Sequence, residues 1–282
     1  MATNGRTAVI TGATSGLGEA AALALARQGW RVLLVGRDAA RGAHVVAAAK
    51  AAGGDAAFYA ADLFSLADVA RLGAVLAAAA PRLDLLVNNA GGSFQKTERT
   101  KDGLERTFAL NVAAPWVLTR ALVEPLAAAK GRVLNVVTGV SSGTKAEVAD
   151  FDGPRAAAGT GSYVRAKLAL LGVTRAMQDE LGARGITFVA LHPGVIPGTR
   201  FGSEMPAFLR ERFFPAIARL FRLDTPIDEA AARYVRLATE PVEPAGFYYE
   251  GVLRPLPTLA GDAAFRTALT RELARVSGSI AS

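Results

Sequence analysis

Cysteine is missing from all 282 residues, which removes disulfides, thiolate metal sites and a thiol nucleophile together. Histidine is almost missing. His44 and His192 are too few for a multi-histidine centre, so no metal is expected, and His192, ahead of Pro193 at the end of an apolar run, reads as structural. Long apolar runs are lacking too. No window approaches the roughly 18 uninterrupted apolar residues that a membrane-spanning helix needs. The opening Met-Ala-Thr-Asn-Gly-Arg has no basic, apolar, small-residue leader pattern. A soluble, cytoplasmic protein without membrane contact is therefore expected. The formal charge is +7, but its lysines and arginines are dispersed and not interleaved with aromatics. That pattern argues for solvated surface charge and against a nucleic-acid partner, with a bias toward anionic ligands.

What the chain does have is apolar material, 51% of residues against 20% charged, enough for a large core without staples. Short apolar runs predict strands at Arg6–Thr11, Arg31–Val35, Ala57–Ala61, Leu83–Val87, Arg132–Val137, Ile186–Leu191 and Phe247–Glu250. Between them, Ala- and Leu-rich segments predict helices at Gly16–Gln28, Ala39–Ala52, Leu66–Ala79, Gly103–Ala129 and Ser162–Ala183. Pro115 predicts a kink or a break near Ala114. A last amphipathic helix, Asp262–Val276, reads as a surface or subunit contact. Strands alternating with helices imply right-handed crossovers and a doubly wound parallel sheet in a three-layer α/β/α sandwich. No composition break interrupts the alternation, so residues 1–282 are expected to form one domain.

Thr11-Gly12-Ala13-Thr14-Ser15-Gly16-Leu17-Gly18 joins the first strand to the first helix. Glycines there let the backbone approach a pyrophosphate that meets free N–H groups at the helix start. The end of the second strand discriminates between dinucleotides, because an acidic residue there would bond the adenosine ribose 2′-hydroxyl and repel a 2′-phosphate. Here Gly36 and Arg37 stand instead, and a guanidinium suits phosphate by charge and by its forked donors. Asp38 reads as the cap of the next helix. NADP(H) is favoured over NAD(H).

Tyr163 and Lys167, four residues apart, share one helix face. An ammonium close to a phenol stabilises phenolate, so Lys167 is expected to lower the Tyr163 pKa and make it a usable acid/base.

With the glycine turn, Asp62-Leu63, Asn88-Asn89-Ala90-Gly91, Asn111, Tyr163/Lys167 and Pro193-Gly194 in this order, the chain resembles the short-chain dehydrogenase/reductase family from about Thr7 to Thr199. The resemblance implies a Rossmann-type sheet of about seven strands and hydride transfer involving nicotinamide. It implies that Asp62 and Leu63 border the adenine, that Asn89, Ala90 and Gly91 line the cleft, and that Pro193, Gly194, Ile196 and Thr199 hold the carboxamide end. Tyr163 would be the acid/base, Lys167 would hold the nicotinamide ribose, and Asn111 would anchor a water. It also implies a homodimer or homotetramer. Where the family usually ends its fifth strand in a catalytic Ser, this chain places Thr138, whose hydroxyl offers the same donor and acceptor. Ser141 and Ser142 are the alternatives if the strand runs longer. The segment between Thr138 and Tyr163 is about twice the usual family length. This insert, with Gly185–Phe188 and Gly246–Tyr249, is similar to the branch of retinol dehydrogenases and protochlorophyllide reductases. The latter use a Cys that this chain lacks.

Between the sixth strand and Pro226, Phe201, Met205, Phe208, Leu209, Phe213 and Phe214 fall on helical spacing among arginines. This stretch, about 200–226, is expected to be a lid over an apolar pocket. A helix packed on the domain and a membrane-surface helix are the other readings. The activity expected is interconversion of a carbonyl and an alcohol on a bulky hydrophobic small molecule. Reduction of a conjugated C=C bond, a redox-neutral reaction on the same scaffold, and a non-catalytic NADP-binding sensor are the alternatives.

Overall fold

Thr7–Thr11 (β1) is an unbroken buried run, as a central parallel strand covered on both faces must be. The computed structural model describes residues 5–139, 144–148, 159–196 and 225–278. After β1 come α1 (Gly16–Arg27), β2 (Arg31–Gly36), α2 (Ala39–Ala51), β3 (Asp55–Ala60), α3 (Leu66–Ala79) and β4 (Leu85–Asn88). A helix over Arg106–Ala121 (α4) contains a π-helical segment at Ala109–Ala113, and α5 (Val123–Ala129) leads into β5 (Arg132–Val136). Then follow α6 (Thr160–Leu181), β6 (Thr187–His192), α7 (Ile227–Thr239), β7 (Phe247–Tyr249), β8 (Val252–Arg254), α8 (Thr258–Gly261) and α9 (Ala263–Gly278).

The strands form one sheet in the order β3-β2-β1-β4-β5-β6-β7-β8, parallel except for the last pair. This is the doubly wound, three-layer α/β/α arrangement expected, with one strand more than the seven anticipated. The extra strand is β8, which turns back at Glu250 and Gly251, both at positive φ, and pairs antiparallel with β7. Chain order reverses between β1 and β4, so their C-terminal ends open a crevice. Alternate strand residues feed two cores. Val9, Leu33, Leu86, Val133 and Phe188 pack on the side of α3, α4 and α6. Ala8, Ile10, Val32, Leu34, Val87, Leu134 and Val189 pack on the side of α1, α2 and α7.

The helix expected over Gly103–Ala129 starts at Arg106 and is divided. The α-helical run is broken where expected: the π segment ends at Ala113, and Pro115 lies in the first turn of the α-helical part that follows. A sharper bend, 63°, comes between Ala121 and Val123. Pro125 explains it, since it cannot donate to the carbonyl of Ala121 four residues earlier. Among the described residues no single helix is long and apolar enough to cross a membrane.

Candidate active site

The crevice is floored by the turn between β1 and α1. Gly12 (φ 67°) and Gly16 (φ 59°) take left-handed conformations that favour glycine. Gly18 is required for a different reason: a Cβ there would lie 2.4 Å from the Gly12 carbonyl oxygen and 2.5 Å from Asn89 Nδ2. Ser15 precedes α1 without capping it through its side chain. Thr14 packs on the Cα side of Gly36. The opposite wall is tied to this turn through Thr11, whose Oγ1 accepts from the amides of Asn89 and Ala90, both at 3.0 Å. Asn89 Nδ2 donates to the Thr11 carbonyl at 2.8 Å, and the Tyr234 hydroxyl donates to Asn89 Oδ1 at 3.0 Å. Gly12–Gly18 and Asn89–Gly91 are thereby fixed as one rigid cradle, in which Leu17 is half-buried.

At one end of the cradle the ends of β2 and β3 are joined by the Ala61 amide donating to the Gly36 carbonyl. Arg37 is exposed there, and among the described residues it has no carboxylate partner. Asp38 caps α2 as expected, accepting from the Arg41 amide at 3.0 Å. Asp62 is exposed and accepts from the Phe64 amide at 3.1 Å, while Leu63 is buried.

At the other end, three segments converge on Gly91. A Cβ on Gly91 would lie 2.7 Å from Asn111 Oδ1 and 3.0 Å from Lys167 Nζ. Asn111 sits in the π-helical segment, and its Nδ2 donates to the carbonyls of Gly92 (2.9 Å) and Thr107 (2.8 Å). Such bulges often mark functional sites. Lys167 is 2% exposed and donates to the Val136 carbonyl at 2.7 Å. Its Nζ lies 5.7 Å from the centre of the Tyr163 ring. Thr138, two residues beyond the end of β5, is half-buried. Of the residues expected to act together, Asn111 and Lys167 therefore meet at Gly91, and Tyr163 stands beside Lys167.

Their electrostatics correct one expectation. Lys167 does not make Tyr163 acidic here: loss of hydration pushes the phenol well above its ordinary value. Burial also lowers Lys167 to about 7, so at neutral pH much of it carries no charge with which to stabilise a phenolate. Desolvation, acting on both partners, outweighs their attraction.

Pro193, Gly194 and Ile196 follow β6 at the same edge of the sheet. Arg233 donates to the Pro193 carbonyl at 2.5 Å, and a Cβ on Gly194 would fall 2.2 Å from Thr225 Oγ1. Thr199, Ser141, Ser142 and all but the last two residues of the expected lid lie outside the described residues. His192 is buried as a structural residue should be, with its ring 4.5 Å from that of Tyr249 and its pKa pushed down to about 4, chiefly by burial.

Four residues near these groups went unread in the sequence: Phe64, Tyr234, Arg233 and Tyr249. Tyr249 packs against Gly139, next to Thr138, where a Cβ would lie 2.9 Å from its ring. Tyr234 and Arg233 belong to α7, a helix not anticipated. Its signal was present in Pro226 followed by Asp228 and Glu229 in the first turn.

A sequence model described as short chain dehydrogenase matches residues 6–208. The chain is 35% identical over 280 residues to a Streptomyces sp. (strain C5) protein provisionally named daunorubicin C-13 ketoreductase DnrU, covering 98% of this chain and 94% of that one. It is 30% identical to human retinol dehydrogenase 13, covering 97% and 85% respectively. Among solved structures it is similar to a metagenomic short-chain oxidoreductase in complex with NADP. That match has a TM-score of 0.62 and 27% identity, and covers 85% of this chain and 93% of the other.

Proposed function

The chain belongs to the short-chain dehydrogenase family, and from that premise we propose that it is an NADP(H)-dependent oxidoreductase interconverting a carbonyl and an alcohol on a bulky hydrophobic substrate. The observation that carries this reading is the meeting of Asn111 and Lys167 at Gly91, with Tyr163 beside Lys167, at the end of a glycine cradle that any side chain would fill.

The residues present fit the cofactor. The open start of α1 and the turn Gly12, Thr14, Ser15, Gly16, Leu17, Gly18 would take the pyrophosphate, as free N–H groups at a helix N-terminus favour anions. Arg37, which among the described residues has no carboxylate partner, would take the 2′-phosphate. Asp62 and Leu63 would border the adenine, Asn89, Ala90 and Gly91 the ribose side, and Pro193, Gly194, Ile196 and Thr199 the carboxamide. Once bound, the nicotinamide supplies or accepts the hydride.

The proton belongs to Tyr163. A phenol with a raised pKa keeps its proton at neutral pH and is a hydrogen-bond donor and general acid toward a carbonyl oxygen. Thr138 Oγ1 would bond the same oxygen, so that two donors stand where alkoxide charge develops. Lys167, anchored on Val136, would hold the ribose and help return the proton, and Asn111 would position a water. The names of DnrU and of retinol dehydrogenase 13 support a large apolar substrate, as does the aromatic Tyr249 beside Gly139.

NADPH consumption, followed by its near-ultraviolet absorbance over a panel of bulky ketones and enones, tests this. Tyr163→Phe is expected to lower kcat by about 10²–10⁴ while leaving NADPH binding in place. A variant as active as the wild type would remove Tyr163 from the chemistry, and turnover of enones alone would move the reaction to the C=C bond.

A further inference from the structure

Arg37 does not stand free at the end of β2. Its guanidinium carbon lies 5.6 Å from the centre of the Phe64 ring. Phe64 is placed there by its own turn, in which its amide donates to Asp62 Oδ1 and the Ser65 amide to the Asp62 carbonyl at 3.1 Å each. The ring is held from other directions as well. Arg106 lies 5.2 Å from its centre, and the Phe94 ring meets it edge-on at 5.6 Å and 63°. Arg106 is itself fixed by an ion pair with Glu98 and by the face of Phe94 at 4.3 Å. The two arginines thus differ in kind. Arg106 is ion-paired with Glu98, whereas Arg37 has an aromatic platform beneath it and, among the described residues, no carboxylate partner.

We propose that Phe64 is a positioning residue for cofactor choice: it holds the Arg37 guanidinium in place by a cation–π contact, so that the 2′-phosphate of the adenosine ribose meets a preorganised donor fork. The physical reason is entropic. An exposed arginine gives up rotamer freedom if it must be immobilised at the moment of binding, and an aromatic face that already restricts it removes part of that cost from the phosphate contact. The ring carries no charge, so a ligand without a 2′-phosphate gains nothing from this restraint. Phe64 therefore discriminates between the two dinucleotides without touching the group that distinguishes them. The inference rests on the NADP(H) reading above and extends it to a residue two positions beyond Asp62.

Titration calorimetry with 2′,5′-ADP and with 5′-AMP, neither of which reacts, reads the effect without turnover. The variants are Phe64→Leu, Phe64→Tyr, Arg37→Gln and the Phe64→Leu/Arg37→Gln pair, each checked for a wild-type thermal melt. Phe64→Leu is expected to weaken 2′,5′-ADP by about two- to fivefold, the size of one exposed cation–π contact, with 5′-AMP unmoved. Phe64→Tyr keeps an aromatic face and is expected to bind as the wild type does. In the Arg37→Gln background, Phe64→Leu is expected to have no further effect. Equal weakening of both ligands, a failure of Phe64→Tyr to restore binding, or the same loss with and without Arg37 would each overturn the proposal. Wild-type protein that binds 2′,5′-ADP no better than 5′-AMP would instead overturn the NADP(H) assignment itself.

Discussion

Lys167 has an unusual environment for a lysine: buried, bonded to the Val136 carbonyl, and with its pKa lowered from 10.5 to about 7. The consequence for stability has a definite sign. Between about pH 7 and 10.5 the unfolded chain holds a proton on this lysine that the folded chain does not, so stability rises with pH across that window. Below about 7 both states are protonated, and the folded state bears the full cost of a buried ammonium. Lys167→Met, apolar and of similar length, is therefore expected to melt above the wild type near pH 6, with the gain shrinking steadily as pH is raised toward 10. A difference that stays constant over that range would show that Lys167 titrates at its ordinary value. The type and spacing of Tyr163 and Lys167 were legible in the sequence, and so was their meeting with Asn111. Their protonation was not, because a lone helix predicts attraction between neighbours and says nothing about how much water the neighbouring strands remove. Thr138 stays where the reading put it, just past β5, with its hydroxyl role still to be tested.

The turn between β1 and α1 behaves as a unit because Gly18 lets α1 sit directly on the Gly12 carbonyl and on Asn89. Neither neighbour is the free end of a flexible side chain: one is backbone, and Asn89 is tethered at 2.8 Å to Thr11 and at 3.0 Å to Tyr234. Gly18→Ala is expected to cost about 1–3 kcal/mol by overpacking. That should lower the melting temperature by roughly 2–4 °C per kcal/mol in a chain of this size. NADPH affinity should fall as the helix start is pushed out of the cradle. Unchanged melting and binding, read by thermal denaturation and calorimetry, would mean that the turn yields easily. Most elements of this kind could be read in advance, since short apolar runs and Ala-rich helices alternate without ambiguity and Asp38 announced its cap. The π-helical segment at Ala109–Ala113 could not, because the spacing of apolar residues does not distinguish it from an α-helix and the bond of Asn111 to the Gly92 carbonyl beside it is a tertiary one. Strand β8 escaped because three residues, Val252–Arg254, are too few to show a period. The interruption just before Pro115 was anticipated; the sharper bend before Val123, beside Pro125, was not.

Across the whole molecule, the C-terminal segment is joined to the site by α6. Helix α9 buries Phe265, Leu269, Leu273 and Val276, and the first two of these pack against Gly172 of the helix that carries Tyr163 and Lys167. Arg266 reinforces the contact with an ion pair to Asp179 at 3.5 Å. At about 1.5–3 kcal/mol for each buried apolar side chain, this packing is comparable in gross size with the net stability of a whole domain, about 5–15 kcal/mol. A chain ending at Asp262 is therefore expected to lose cooperative melting and turnover together. A truncated protein that melts within a few degrees of the full chain would refute that dependence. The amphipathic pattern of this last helix was legible, but not whether it faced a partner or its own fold. Its placement bears on self-association. The face of α6 around Gly172 is thus already occupied by α9 and is not bare for a second copy, whereas at the far margin of the sheet Val252 and Leu253 stand about half exposed.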